Sequence, residues 1–257
     1  MAHIDYFKFM PPFIVGDVEG DRAQTMLKSI CDYFENNGII HDGEIRHIYK
    51  VTNDPPMFCP RTMNPGIQFE EIHIQMKDYS VQGHLGQFVY QLSHEMTHCM
   101  IHCNNKNENQ KASWIEESIC EMMSFIMLEY INTAWSSISL TINMDEKEKK
   151  HWDVKWPNYI AAAFAERGTP NYRLSNATSD ELDIINSSSQ SDRVDRWGEV
   201  KEMINRYSSS CLEGLIKYKD YVIPGTIHLD TPRYRTAFPG NSVIEYLCDL
   251  QDTILSK

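Results

Sequence analysis

Residues 82–103, QGHLGQFVYQLSHEMTHCMIHC, decide how the rest of the chain is read. Leu85, Phe88, Val89, Leu92, Met96, Cys99 and Met100 recur every three or four positions, so the spacing predicts an amphipathic helix over about 82–103. Inside it, His94, Glu95 and His98 stand in the order H-E-x-x-H. Residues four apart share one face of a helix, so His94 and His98 can present both imidazoles to a single ion at about 2.0–2.1 Å. Glu95 sits one step round, where a carboxylate can take a proton from a water that the ion acidifies.

Upstream the periodicity changes. IQFEEIHIQM, residues 67–76, alternates Ile72, Ile74 and Met76 with polar neighbours, which predicts a half-buried edge strand at about 70–76. Residues 51–66 hold four prolines and read as an irregular loop. A helix is expected over about 21–36, with Gly38 placed to end it. Downstream, NNKNENQK breaks the pattern before a second helix over about 114–131, which buries Ile115, Ile119, Met122, Ile126 and Tyr130. Further helices are expected at about 144–166, 192–207, 209–220 and 242–254, and TSDELDIINSSSQSD, residues 178–192, reads as a polar surface loop. The switch of period near residue 80 gives an α+β expectation. One catalytic domain, 1–257, would comprise an N-terminal α/β subdomain, 1–105, ending in the active-site helix, and a mainly helical subdomain, 106–257, with the ion between them.

A catalytic zinc needs a third protein ligand. His102 lies roughly 12 Å along the axis from His94 at 1.5 Å per residue, too far for one ion. The H-x-x-G-x-x-H extension fails as well, because Ile101 and Asn104 stand where it needs Gly and His. The second helix opens with SWIEESICEMMS, residues 113–124, and offers Glu116, Glu117 and Glu121. Ser113 and Glu116 have the spacing of a capping box, which gives Glu116 a structural task. Glu117 and Glu121 lie four apart on one face, so Glu117 is assigned to the ion and Glu121 to orienting a ligand histidine through its free ring nitrogen. Cys99, His102 and Cys103 have no second ligand pair to complete a structural zinc site, and Cys59 is read as an inert packing thiol rather than a thiol that blocks the zinc.

HEMTH followed by the second glutamate of WIEES resembles the gluzincin zinc metallopeptidases, above all their aminopeptidase-N-like branch. The resemblance covers residues about 66–131. It implies a thermolysin-like fold, zinc held by His94, His98 and Glu117, and Glu95 as general base. Trp114 and Glu121 match the family's helix, while Ser118 replaces a glycine. It also implies an edge strand that binds extended substrate by β-addition, here carrying Ile72 and Ile74. The family stabilises the oxyanion with a downstream Tyr or His, for which Tyr234 in TPRYRTAFPG is the expectation, chosen over Tyr207, Tyr218 and His228. The amine-recognising G-x-M-E-N element is missing from GIQFEEIHIQ, so the expected activity is that of an endopeptidase or a narrowly specific processing enzyme acting on a peptide or protein.

Composition bounds these readings. Of 257 residues, 42% are hydrophobic, the formal net charge is −12, and the mean hydropathy is −0.45. Such an acidic chain would repel a phosphate backbone, so nucleic acid is not an expected partner. No apolar run of about 18 residues suggests a membrane span. MAHIDYFKFMPPFIVGD lacks the basic and uninterrupted apolar regions of a signal peptide, and seven cysteines form an odd, unpaired set, so a cytoplasmic location is expected. The alternative function is a non-catalytic metal-binding or protein-interaction module on the same fold.

Overall fold

The computed structural model describes residues 6–10, 18–39, 43–51, 54–64, 67–76, 84–105, 112–141, 144–169, 173–187 and 196–257. It is a mixed α+β structure. Strands β1 (Phe7–Phe9), β2 (Arg46–Val51), β3 (Met57–Asn64) and β4 (Ile67–Gln75) form a sheet in the order β1-β2-β4-β3. β1, β2 and β4 are parallel, and β3 runs antiparallel to β4. Helix α1 (Val18–Asn36) makes the crossover between the parallel β1 and β2, and Gly38 follows it with φ 81°, the left-handed conformation glycine adopts without cost.

Two sequence expectations change here. The proline-rich stretch read as a loop contains β3, and it is β3 that forms the edge. β4 lies between β2 and β3, so the strand expected at the edge is internal. Pro60 explains why the loop reading failed: it lacks an N–H to give to a ladder, which an edge strand tolerates, and the register shifts between Cys59 and Thr62.

The chain divides into two compact units, Met1–Asn36 with Ile40–Cys99 and Met123–Ala163, and Asn37–Ile39 with Met100–Met122 and Phe164–Lys257. The division is discontinuous and does not follow a cut at residue 105. Helices α2 (Leu85–Asn104) and α3 (Ser113–Thr141) each contribute residues to both units. The first unit holds the sheet, α1, the start of α2, the end of α3 and most of α4 (Glu146–Glu166). Its core gathers Ile48, Ile72, Ile74, Phe88 and Leu92, with Trp135, Trp152 and Trp156 packed at 5.5–6.4 Å between ring centroids. Arg22 of α1 reaches Glu148 of α4 at 2.8 Å, and Gln87 Nε2 donates to the Gln75 carbonyl at 3.0 Å, fixing the start of α2 to the end of β4.

The second unit is helical: the first turns of α3, then α5 (Arg173–Asn176), α6 (Ser179–Ser187), α7 (Trp197–Arg206), α8 (Leu212–Ile216), α9 (Thr231–Ala237) and α10 (Ser242–Leu255). Helix α6 occupies a segment expected to be a polar loop. Thr178 and Glu181 close it with a capping box: the Glu181 carboxylate accepts from the Thr178 amide at 2.8 Å, and Thr178 Oγ1 accepts from the Glu181 amide at 3.4 Å. Only Leu182 and Ile185 turn inward, too few apolar positions to show a helical period.

A candidate metal centre on two long helices

Helix α2 carries polar residues through a buried interior by satisfying them within its own turns. Ser93 Oγ donates to the Val89 carbonyl at 2.6 Å and Thr97 Oγ1 to the Ser93 carbonyl at 2.7 Å. The helix thereby holds His94 and Glu95, each 3% exposed, and the half-buried His98. The His94 and His98 rings lie 5.1 Å apart between centroids, on one face as the spacing of four requires.

Helix α3 supplies the third group. Its first turn is closed by Ala112, whose carbonyl accepts from Glu116 N at 3.1 Å, and Asn186 Oδ1 accepts from Trp114 N at 3.3 Å. Ser113 is thus already inside the helix, and the capping box expected with Glu116 does not form. The Glu116 carboxylate is held elsewhere: Tyr218 Oη donates to it at 2.5 Å and Lys219 Nζ lies 3.0 Å away. Glu117, one residue on, takes a different direction. One ligand atom from each of His94, His98 and Glu117 lies within 4.8 Å of the other two. Two imidazoles and a carboxylate form a donor set suited to zinc, so the residues fit the ion that the sequence pattern implies.

Glu121 is buried and bonded to Arg167, whose Nε and an Nη both reach its Oε1 at 2.8 Å. Arg167 thus holds one oxygen of Glu121, the residue expected to orient a ligand histidine. Arg167 is 46 positions downstream, and nothing in the sequence links it to Glu121. Two further bonds fix the start of α3: Trp114 Nε1 donates to the Ile227 carbonyl at 3.1 Å, and Ser118 Oγ to the Trp114 carbonyl at 2.7 Å.

Three other assigned residues are buried in the core. Tyr234 is fully buried, stacked on Tyr221 at 4.8 Å, with its hydroxyl donated to the Gly214 carbonyl at 2.8 Å. It is a core tyrosine, not an oxyanion donor. Burial pushes its phenol well above the usual value. Ile72 and Ile74 are fully buried on the internal strand β4, so neither lines a substrate edge.

On β3, Cys59 is half-buried, and its thiol is pushed up by burial, then by the Glu71 and Glu95 carboxylates. Among the described residues no helix is long and apolar enough to cross a membrane. No family model, curated protein or solved structure matches the chain.

Proposed function

We propose that the chain is a zinc-dependent peptidase of the gluzincin type, with a thermolysin-like arrangement of its catalytic elements. The observation that carries this reading is the convergence of His94, His98 and Glu117 ligand atoms within 4.8 Å, with Glu95 in the turn between the two histidines. His94, His98 and Glu117 would hold the ion. A zinc bound there supplies Lewis acidity, polarising a carbonyl and lowering the pKa of a water toward about 7.

The chain's own residues do the rest. Glu95, buried and adjacent to the ligands, accepts the proton of the attacking water and returns it to the leaving amine. Its burial keeps this exchange away from bulk solvent. β3, at the edge of the sheet, is the strand against which an extended peptide would add its backbone. The substrate is a peptide or protein; a nucleic acid is disfavoured by the charge of −12. The seven cysteines are free thiols, five of them buried, which suits a reducing cytoplasm.

One observation favours the second reading, a metal-binding module without turnover. Tyr234 and Tyr218 are both committed to internal hydrogen bonds, which leaves the oxyanion donor unassigned. Metal analysis followed by digestion of a peptide library separates the two. The peptidase predicts one zinc in the helical site and cleavage abolished by Glu95→Gln with the metal retained. Zinc binding with no Glu95-dependent cleavage would establish the module instead.

A further inference from the structure

The half-exposed face of the sheet carries a second set of ligand-type side chains that the peptidase chemistry does not use. Cys59 on β3 stands directly opposite Glu71 on β4, and Glu71 opposite His47 on β2. In the next row of the same face, Met57, His73 and Tyr49 stand in line. These rows bring Cys59, Glu71 and His73 together, each half-buried, with one ligand atom from each within 4.8 Å of the others. Glu71 and His73 already meet at 2.9 Å between Oε2 and Nε2, and the Tyr49 ring packs edge-on against His73 at 5.6 Å.

We propose that Cys59, Glu71 and His73 form a second metal site, taking zinc or a divalent ion of similar softness through one thiolate, one imidazole and one carboxylate. A tetrahedral ion with bonds of about 2.0–2.3 Å holds its ligand atoms about 3.3–3.8 Å apart. The cluster therefore needs only side-chain closure of about an ångström. The ion would replace the hydrogen bond between Glu71 and His73 and release the proton of the Cys59 thiol, and water would complete the fourth position. Two strands fix the three positions through paired backbones, and a site on paired strands is held more firmly than one on a loop.

The surroundings favour a cation over a reactive thiol. Reactive cysteines sit beside positive charge, whereas Cys59 is flanked by the carboxylates of Glu71 and Glu95. A divalent ion reverses that balance.

Cobalt titration of the full chain tests the proposal without using activity. Two equivalents are expected, one of them giving a thiolate-to-cobalt charge-transfer band. Cys59→Ser should remove that band and one equivalent, while a His94→Ala/His98→Ala double variant keeps the band and loses the other equivalent. His73→Gln, which leaves the thiol in place, should weaken the band's metal affinity by about tenfold or more. Zinc should slow alkylation of Cys59 in the wild type and fail to do so in His73→Gln. The proposal is overturned by cobalt binding with no thiolate band, by a band that survives Cys59→Ser, or by alkylation of Cys59 at the same rate with and without zinc.

Discussion

His94 and His98 are brought together by one turn of α2, whereas Cys59 and His73 meet only because β3 lies antiparallel against β4. The two clusters thus depend on different things. A helix fixes positions four apart wherever it sits, so the histidine pair is set as soon as α2 forms. A cross-strand cluster is set by register, and a slip of one residue would turn Cys59 to the opposite face. The pairing shifts just past Cys59, between Cys59 and Thr62. The helical cluster has a dependence of its own in its third member: Glu117 comes from the first turns of α3, not from α2. Glu116 and Glu121, on either side of Glu117 in sequence, are the residues that hold it, through Tyr218 with Lys219 and through Arg167.

The largest test of this difference is Glu117→Ala. It removes a proposed ligand, so the metal of the helical site and peptidase activity should be lost together, while the metal bound through Cys59 remains; equilibrium dialysis, expected to show one equivalent lost and one kept, checks it. Glu116→Ala should keep the zinc but lose stability, because it strips the acceptor from Tyr218 and Lys219. If Glu116→Ala loses the metal and Glu117→Ala keeps it, the helical cluster has been assigned to the wrong carboxylate. Glu95→Gln follows, with a fall of about 10²- to 10⁴-fold in kcat at unchanged zinc content, the range of a lost general base. An unchanged kcat would remove Glu95 from the chemistry.

Arg167→Ala probes the anchor on the other side. It leaves the buried Glu121 carboxylate without its guanidinium, and removing one partner of a buried pair costs about 3–5 kcal/mol. Arg167 is partly exposed, so the lower end is expected, with zinc affinity reduced as α3 loosens. Urea denaturation gives the first number and zinc titration the second. A destabilised protein with undiminished zinc affinity would show that Glu121 anchors the helix without influencing Glu117.

The same contrast explains what could be read from the sequence. The H-E-x-x-H pair and the spacing to Glu117 are local to two helices whose apolar periods are plain, and α2 begins and ends within a few residues of expectation. Cross-strand neighbours leave no such mark: Cys59 and Glu71 are 12 positions apart, and only the paired backbones place them face to face. β3 is hidden because Pro60 and the prolines flanking the strand are loop signals, and the edge role falls to β4, whose alternation marks a strand but not its neighbours. Capping was misread for a related reason. S-x-x-E at 113–116 and T-x-x-E at 178–181 look alike, yet Ala112 closes α3 and Thr178 closes α6, because Glu116 has stronger partners in Tyr218 and Lys219. Tyr234 was misplaced because a stretch such as TPRYRTAFPG does not say which way its ring faces. It faces the core.

Tyr218→Phe is the smallest change and isolates the last of these anchors. The hydroxyl of the buried Tyr218 donates to the part-buried Glu116 carboxylate, and a hydrogen bond to a charged group contributes about 1.5–3 kcal/mol. Lys219 stays beside Glu116 in the variant, so the loss should fall at the lower end of that range near neutral pH. The pH dependence carries a sharper signature. Burial first, and the Glu116 charge second, raise the Tyr218 phenol well above its usual value near 10. The unfolded chain therefore releases this proton at about pH 10, while the folded chain keeps it. Below that pH the stabilisation is fully present; as pH rises past it, the unfolded state gains by ionising, and stability falls by up to about 1.4 kcal/mol per pH unit for each such group. Tyr234, also buried and raised, contributes a second group of the same sign. Wild type should thus lose stability above pH 10 more steeply than Tyr218→Phe, and the gap between the two denaturation curves should narrow as pH climbs. Parallel curves through that range would show that Tyr218 ionises as readily in the folded protein as in the unfolded one, and that its bond to Glu116 does not hold α3 in place.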